Sequence, residues 1–201
     1  MITLIKLSFF SGFAAIGDHL RPITSLASMI ATAFKKRNQR KLRKLNDDVL
    51  RITSMDCSQV NFNMAVFSYV LSKIVSKPRY LSVECESAIK VMEKVLDRIV
   101  NRMDSATDEE LLGLFDELEK AIGGLEQMDA RFVTDLVTKG KMKMAATFYA
   151  QGISLGVSAE MTGLQKQEIL EYAGETMMFD RLKEEKSIDE RMKVARKLLT
   201  G

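Results

Sequence analysis

At 201 residues the chain has the length of one ordinary domain, or of a small domain with appendages. Its 46% hydrophobic and 28% charged content excludes wholesale disorder, and only two prolines, Pro22 and Pro78, interrupt long stretches open to helix. The net charge of +3 hides an asymmetry: Lys35–Lys44 (KKRNQRKLRK) holds seven basic residues and no acidic one, whereas Asp104–Arg131 holds nine acidic residues against two basic ones.

Residues 1–34 are apolar and acid-poor, with Asp18 as the sole acid. The longest uncharged runs, Leu7–Gly17 and Pro22–Phe34, have 11 and 13 residues, short of the roughly 20 a spanning helix needs. No membrane span is expected, and the start of the chain is a poor fit to a secretory signal. Ile23, Leu26, Ala27, Ile30, Ala31 and Phe34 fall on one helical face. Beside the basic block, that face suits a helix docked on the core better than one lying on a membrane. Residues 1–45 are expected to be an extension dispensable for folding.

From residue 46 to 140 the pattern is that of a helical bundle. Met64, Phe67, Leu71 and Ile74 share a stripe that ends at Ser76-Lys77-Pro78. Val66 and Val70 add apolar surface on a second face of that helix, more than one packing stripe needs. Met92, Val95, Leu96, Ile99 and Met103 form the next stripe. Thr107 with Glu110 is a capping-box pattern opening a helix whose apolar face is Leu111, Leu114, Phe115, Leu118 and Ile122, with Gly123-Gly124 as its expected end. A long helix is expected from about Leu125 toward Gln151, with Met128, Phe132, Leu136 and Phe148 as core positions. No sustained two-residue alternation suggests a sheet.

After Gly152 the texture changes to short helices separated by glycine: ISLGVSAEMTG, then LQKQEILEYAG. Ser154 can cap the first and Gly163 end it; the second runs from Gln165 to Tyr172 and is expected to stop at Gly174. Ala159, Gly163, Leu164, Ile169 and Tyr172 have helix-turn-helix spacing. A small residue at Ala159 lets a second helix cross closely, and Gly163 permits a tight turn with positive φ. Leu164, Ile169 and Tyr172 would pack the crossing. The competing structural reading is a tri-helical packing module used for protein contacts.

The segment FYAQGISLGVSAEMTGLQKQEILEYAG resembles the C-terminal element of archaeal predicted transcriptional regulators with a helix-turn-helix. It is also similar to small prokaryotic antitoxin-like proteins with a "GISLGxAAELxG" signature. The likeness is closest over Phe148–Gly174, looser over Leu50–Lys143, and absent from residues 1–45. It implies DNA binding in a cytoplasmic, dimeric regulator, with Leu155–Thr162 as support helix and Gln165–Tyr172 as recognition helix. Gln165, Lys166 and Gln167 would then face the major groove, where glutamine pairs with adenine and lysine reaches guanine or phosphate. Ser158 stands where alanine is commoner, and Thr162 is more polar than usual for a packing position. Glu160, Glu168 and Glu171 against Lys166 alone make the element net −2, a poor match for phosphates. Basic support would have to come from Lys139, Lys141 and Lys143, from the Lys35–Lys44 block, or from Arg191, Lys193, Arg196 and Lys197.

No enzyme is expected. The chain lacks a GxxxxGK[ST] phosphate loop and the GxGxxG, HExxH and GxSxG motifs. Its one histidine, His19, reads as a turn residue, so neither a zinc site nor a His-based nucleophile can be assembled. Cys57 and Cys85, without CxxC spacing, read as two buried free thiols. No cofactor is implied.

The expected architecture is therefore all-α, a helical bundle followed by a helix-turn-helix-like tri-helical element. Residues 1–45 are the extension, 46–140 the bundle, 141–175 the helix-turn-helix-like element and 176–201 a charged C-terminal helix. The expected function is DNA-binding transcriptional regulation by a homodimer. Its dimer face would be sought on the Met64–Ile74 helix, at Val66 and Val70, or on the Met92–Met103 helix. The alternative is an interaction module without DNA binding, taking a basic protein partner at the Asp104–Asp129 acidic surface.

Overall fold

The computed structural model describes residues 23–127 and 135–181, together with Met192, Lys193 and Arg196. Every regular element among the described residues is helical. The chain divides into two compact units, residues 1–144 and 145–201.

The first unit is a bundle of α1 (Ile23–Lys35), α2 (Gln39–Met55), α3 (Gln59–Val75), α4 (Glu86–Arg102) and α5 (Asp108–Gln127), joined by most of α6 (Leu136–Ala150). Two 3-10 turns, Pro78–Leu81 and Val83–Cys85, link α3 to α4. The helix α3 lies at the centre: all but Gln59, Asn63, Tyr69 and Lys73 are buried. A helix apolar nearly all round belongs in a core, and α1, α2 and α5 pack on it. Phe67 of α3 stacks on Phe115 of α5 with ring centres 5.4 Å apart.

Asn46 and Thr53, polar residues buried inside the bundle, are hydrogen-bonded. The amide of Asn46 donates to the Ala65 carbonyl and to Ser68 Oγ, both at 2.8 Å, tying α2 to α3. Thr53 Oγ1 donates to the carbonyls of Val49 and Asn61. Helix ends follow side-chain chemistry: Asn38 caps α2, Ser58 caps α3, and Thr107 and Glu110 form the expected capping box ahead of α5.

Four expectations change. Residues 23–45 are not an extension: Leu26, Ile30 and Phe34 of α1 and Leu42 and Leu45 of α2 are at most 2% exposed, and α1 packs on α2, α3 and α4. The boundary expected after residue 45 falls inside α2, between two buried residues, Leu45 and Asn46. Residues 1–22 lie outside the described residues.

Gly123-Gly124 does not end α5, which continues to Gln127. Each helical glycine costs about 1 kcal/mol, but Ile122 and Leu125 on either side are fully buried, and their packing outweighs that cost. Leu125 therefore belongs to α5, and the expected long helix begins only at Leu136. Leu136 and Phe148 are buried core residues, whereas Met128 and Phe132 lie outside the described residues. Asp135 starts α6, its carboxylate accepting the Val137 N–H at 2.7 Å and the Thr138 hydroxyl at 3.0 Å.

Val66 and Val70 offer no spare surface for a dimer, being 0% exposed. Their methyls press on α6 at Gly140, where a β-carbon would lie 2.7 Å from Val70 Cγ2. The second apolar face of α3 exists to receive α6. Finally, Cys57 is exposed rather than buried, while Cys85 is buried as expected.

The second unit holds the end of α6 and then α7 (Leu155–Thr162), α8 (Lys166–Glu175) and the short α9 (Met178–Arg181). Its buried residues include Ala145, Ala146, Phe148, Ile169 and Ala173. The Tyr149 ring meets Phe179 edge-to-face at 5.4 Å. Of the C-terminal segment expected to be one charged helix, α9 is described, and residues 182–191 lie outside the described residues.

Candidate nucleic-acid interface

The α7–α8 pair is built by local chemistry. Ser154 Oγ accepts the Val157 N–H at 3.2 Å and opens α7. Gly163 closes it at φ +70°, a left-handed conformation that a β-carbon disfavours, and its N–H donates to the Ala159 carbonyl. Thr162 Oγ1 donates to the Ser158 carbonyl and accepts the Leu164 N–H, so its polarity serves the turn. Gln165 caps α8 in a reciprocal box: its side chain accepts the Glu168 N–H, and Glu168 Oε2 accepts the Gln165 N–H at 2.9 Å. The helix runs on through the expected stop at Gly174 to Glu175, with Thr176 as its C-cap.

Ile169 is buried, with Leu164 and Tyr172 partly so. Within α7, burial is greatest one residue before the expected Ala159. Ala159 is half-exposed, whereas Ser158 is 1% exposed and its hydroxyl has no hydrogen-bond partner among the described residues.

The three expected base readers differ in availability. Gln165 is occupied by capping. Gln167 Nε2 donates to Glu171 at 2.9 Å, one turn along the exposed face. Lys166 is exposed and makes no ion pair among the described residues; its ammonium lies 4.0 Å from where a Gly156 β-carbon would sit. With Glu168, Glu171 and Glu175 against Lys166, α8 keeps the negative balance seen in the sequence.

The expected basic support is divided between the two units. Lys139, Lys141 and Lys143 belong to the first unit, whereas Gln165, Lys166 and Gln167 belong to the second. Lys141 pairs with both oxygens of Glu119 at 3.1 Å, and Lys143 lies over the Tyr69 ring at 5.7 Å. Lys139 is exposed, as are Lys193 and Arg196; Arg191 and Lys197 lie outside the described residues.

The acidic segment is largely spent inside the bundle. Asp104 accepts the Thr24 hydroxyl, Glu110 pairs with Arg102, Glu117 binds Arg98 through both oxygens, and Glu119 holds Lys141. Glu126 accepts the Leu136 N–H at 2.6 Å, yet burial leads the influences on its carboxyl and holds its pKa above the usual value. Asp108, Glu109 and Asp116 remain exposed for a partner, and Asp129 lies outside the described residues. A groove of about 500 Å³ on α4 and α5 is lined by these same Arg98–Glu117 and Arg102–Glu110 pairs. Its charges neutralise one another, which makes it a salt-bridged surface rather than a ligand cavity.

Among the described residues, no group of three His, Cys, Asp or Glu side chains is placed to hold a metal ion. No helix among them is long and apolar enough to cross a membrane. Compared with known protein families, curated proteins and solved structures, the chain matches none.

Proposed function

We propose that α7–α8 is a helix-turn-helix that binds duplex DNA, and that the protein is a cytoplasmic transcriptional regulator. The observation that carries this reading is the turn: helices of 8 and 10 residues joined across a left-handed Gly163 and a capped Gln165. Ile169 is buried behind the turn while Lys166 and Gln167 are exposed at the start of the second helix. That placement is what major-groove reading by a helix N-terminus requires. The resemblance of Phe148–Gly174 to archaeal regulators supports the same reading.

The Gln167–Glu171 bond is exposed, so exchanging it for adenine costs little desolvation, and Lys166 is available without breaking an ion pair. A single element reads one half-site, so a homodimer belongs to the proposal. Sedimentation equilibrium at micromolar concentration should give the dimer mass.

The test is selection over randomised duplexes, followed by binding of the recovered sequence to Lys166→Ala and Gln167→Ala. A shared motif should emerge, and each substitution should relax preference at one or two positions by about 1–3 kcal/mol. Recovery of no motif, with no binding at low salt, would sink the reading.

A second reading is favoured by a separate observation. Val157 (37%), Leu170 (38%), Met177 (66%) and Phe179 (51%) are exposed apolar residues in the second unit. With an acidic α8, that surface suits a basic, partly apolar protein partner in an interaction module without DNA binding. Co-purification of such a partner, lost on Leu170→Asp, together with absent DNA binding, would favour it.

A further inference from the structure

The basic block Lys35–Lys44 is divided by the fold. Lys35 binds both oxygens of Asp97 at 2.6 Å, and Arg37 binds Glu93 at 2.7 Å while also donating to the Phe34 carbonyl. These two cations fasten the end of α1 to α4. The other five, Lys36, Arg40, Lys41, Arg43 and Lys44, are exposed and have no carboxylate partner among the described residues.

Folding alone gives no reason for that cluster. The first turn of α2 holds no acidic residue, although a helix start favours negative charge because its free N–H groups carry positive partial charge. Four cations in and just beyond that turn oppose the helix dipole and repel each other. The packed neighbours do not relieve them, since α1 and α3 contain no Asp or Glu. The nearest carboxylates along α2 are Asp47 and Asp48, a turn further on, with Asp48 4.0 Å from Arg51.

We infer that the outer face of α2's first turns, with Lys36, is a contact surface for the phosphate backbone of duplex nucleic acid. Two features select this partner among polyanions. Over residues 39–50 of α2, which carry the cations, the apolar residues Leu42, Leu45, Val49 and Leu50 are all buried in the bundle, and the exposed Met55 lies at the far end of the helix, so the face has nothing to insert between lipid tails, as an interfacial helix does. No aromatic residue is interleaved among the cations to stack on unpaired bases. What remains is charge with arginine forks, the chemistry that positions a protein on phosphates without reading sequence. This surface lies wholly in the first unit and does not depend on the reading of α7–α8.

The test measures how binding of the full chain to a random-sequence duplex falls with salt, for wild type and for a variant carrying Arg40→Gln, Arg43→Gln and Lys44→Gln. Losing three phosphate contacts should reduce the slope of log K against log salt by about 2.7. Wild type would then lose about 40-fold more affinity than the variant between 50 and 200 mM salt. A second variant, Lys36→Gln with Lys41→Gln, should reduce the slope by about 1.8 and carries the test if the first fails to melt like wild type.

Unchanged affinity and slope in folded variants overturn the inference. So does wild-type protein that ignores duplex at low salt, or that prefers vesicles containing phosphatidylserine to duplex at equal salt. Gln167→Ala separates the two proposals: it should alter sequence preference and leave the slope alone. If it changes nothing while the α2 variants lose their slope, the helix-turn-helix reading fails and the α2 surface stands.

Discussion

Gly140 is the position where a single methyl group best tests the packing. A β-carbon there would lie 2.7 Å from Val70 Cγ2, 3.3 Å from Val66 Cγ1 and 3.7 Å from Tyr69 Cδ1. Carbon atoms prefer separations of about 3.5–4.0 Å, so the first contact is too short by about 1 Å. The valine methyls cannot swing away cheaply, because a β-branched side chain in a helix has one strongly preferred rotamer and both valines are fully buried. Gly140→Ala therefore combines two opposed effects. Helix propensity favours alanine by about 1 kcal/mol, while overpacking costs about 1–3 kcal/mol. The net expectation is a loss of about 1 kcal/mol. Gly124→Ala is the control, since no atom lies within 4 Å of its β-carbon and only the propensity gain of about 1 kcal/mol applies. Urea titration should place the two variants on opposite sides of wild type, about 2 kcal/mol apart, with m unchanged. Adding Val70→Ala to Gly140→Ala should cost less than the sum of the singles, with coupling of about 1–2 kcal/mol. If Gly140→Ala stabilises as much as Gly124→Ala does, α6 does not seat on Val66 and Val70 as described.

Three further outcomes follow. A chain beginning at Asn46 loses α1 and the start of α2 and should melt without cooperativity; a sharp transition at the wild-type temperature would contradict the packing of Leu26, Ile30 and Phe34. In Glu126 the raised carboxyl pKa means that the folded state binds its proton more tightly than the unfolded state. Its contribution to stability is therefore present below the unfolded pKa and is lost as pH rises through the folded one. Glu126→Gln, which keeps an acceptor for the Leu136 N–H, should flatten that dependence as pH rises above the usual carboxylate range without lowering stability at pH 7, as read by melting at several pH values. Gly163→Ala should destabilise the α7–α8 turn by about 1 kcal/mol through its left-handed backbone, and Gly163→Asn by less, measurable as protease susceptibility of the second unit.

What could be read from the sequence was whatever local chemistry decides. Ser154 and Gly163 bracket α7 because a hydroxyl and a missing β-carbon act within one turn, and the Thr107–Glu110 box works the same way. The stripes of α3, α4 and α5 emerge at their expected residues because burial enforces helical spacing. Where tertiary packing overrides a local signal, the sequence misleads. Gly123-Gly124 has the look of a helix end, and only the burial of Ile122 and Leu125 carries α5 through it. Residues 23–45 read as part of an extension because their apolar face continues the apolar segment before them, and only the packing of α1 on α2, α3 and α4 puts them in the core. Val66 and Val70 looked spare because their partner is a glycine, which shows no apolar side chain to anticipate.

The candidate sites divide along the same line. That Gln167 would be held by Glu171 and Gln165 by Glu168 was available from spacings of four and three residues on one helix, so the partial occupation of the expected base readers follows from local pattern. The partition of the basic block was not available, because it turns on Asp97 and Glu93, 62 and 56 residues away from Lys35 and Arg37. Seven cations within ten residues look like one feature. Once α4 has taken two of them, five remain on a surface whose packed neighbours, α1 and α3, hold no carboxylate, while the acidic α5 spends Glu110, Glu117 and Glu119 on Arg102, Arg98 and Lys141. The two opposite-charge segments of the chain therefore do not neutralise each other. Glu110, Glu117 and Glu119 hold helices together while Asp108, Glu109 and Asp116 stay exposed on α5, and positive charge is left on α2, free to meet an anion from outside.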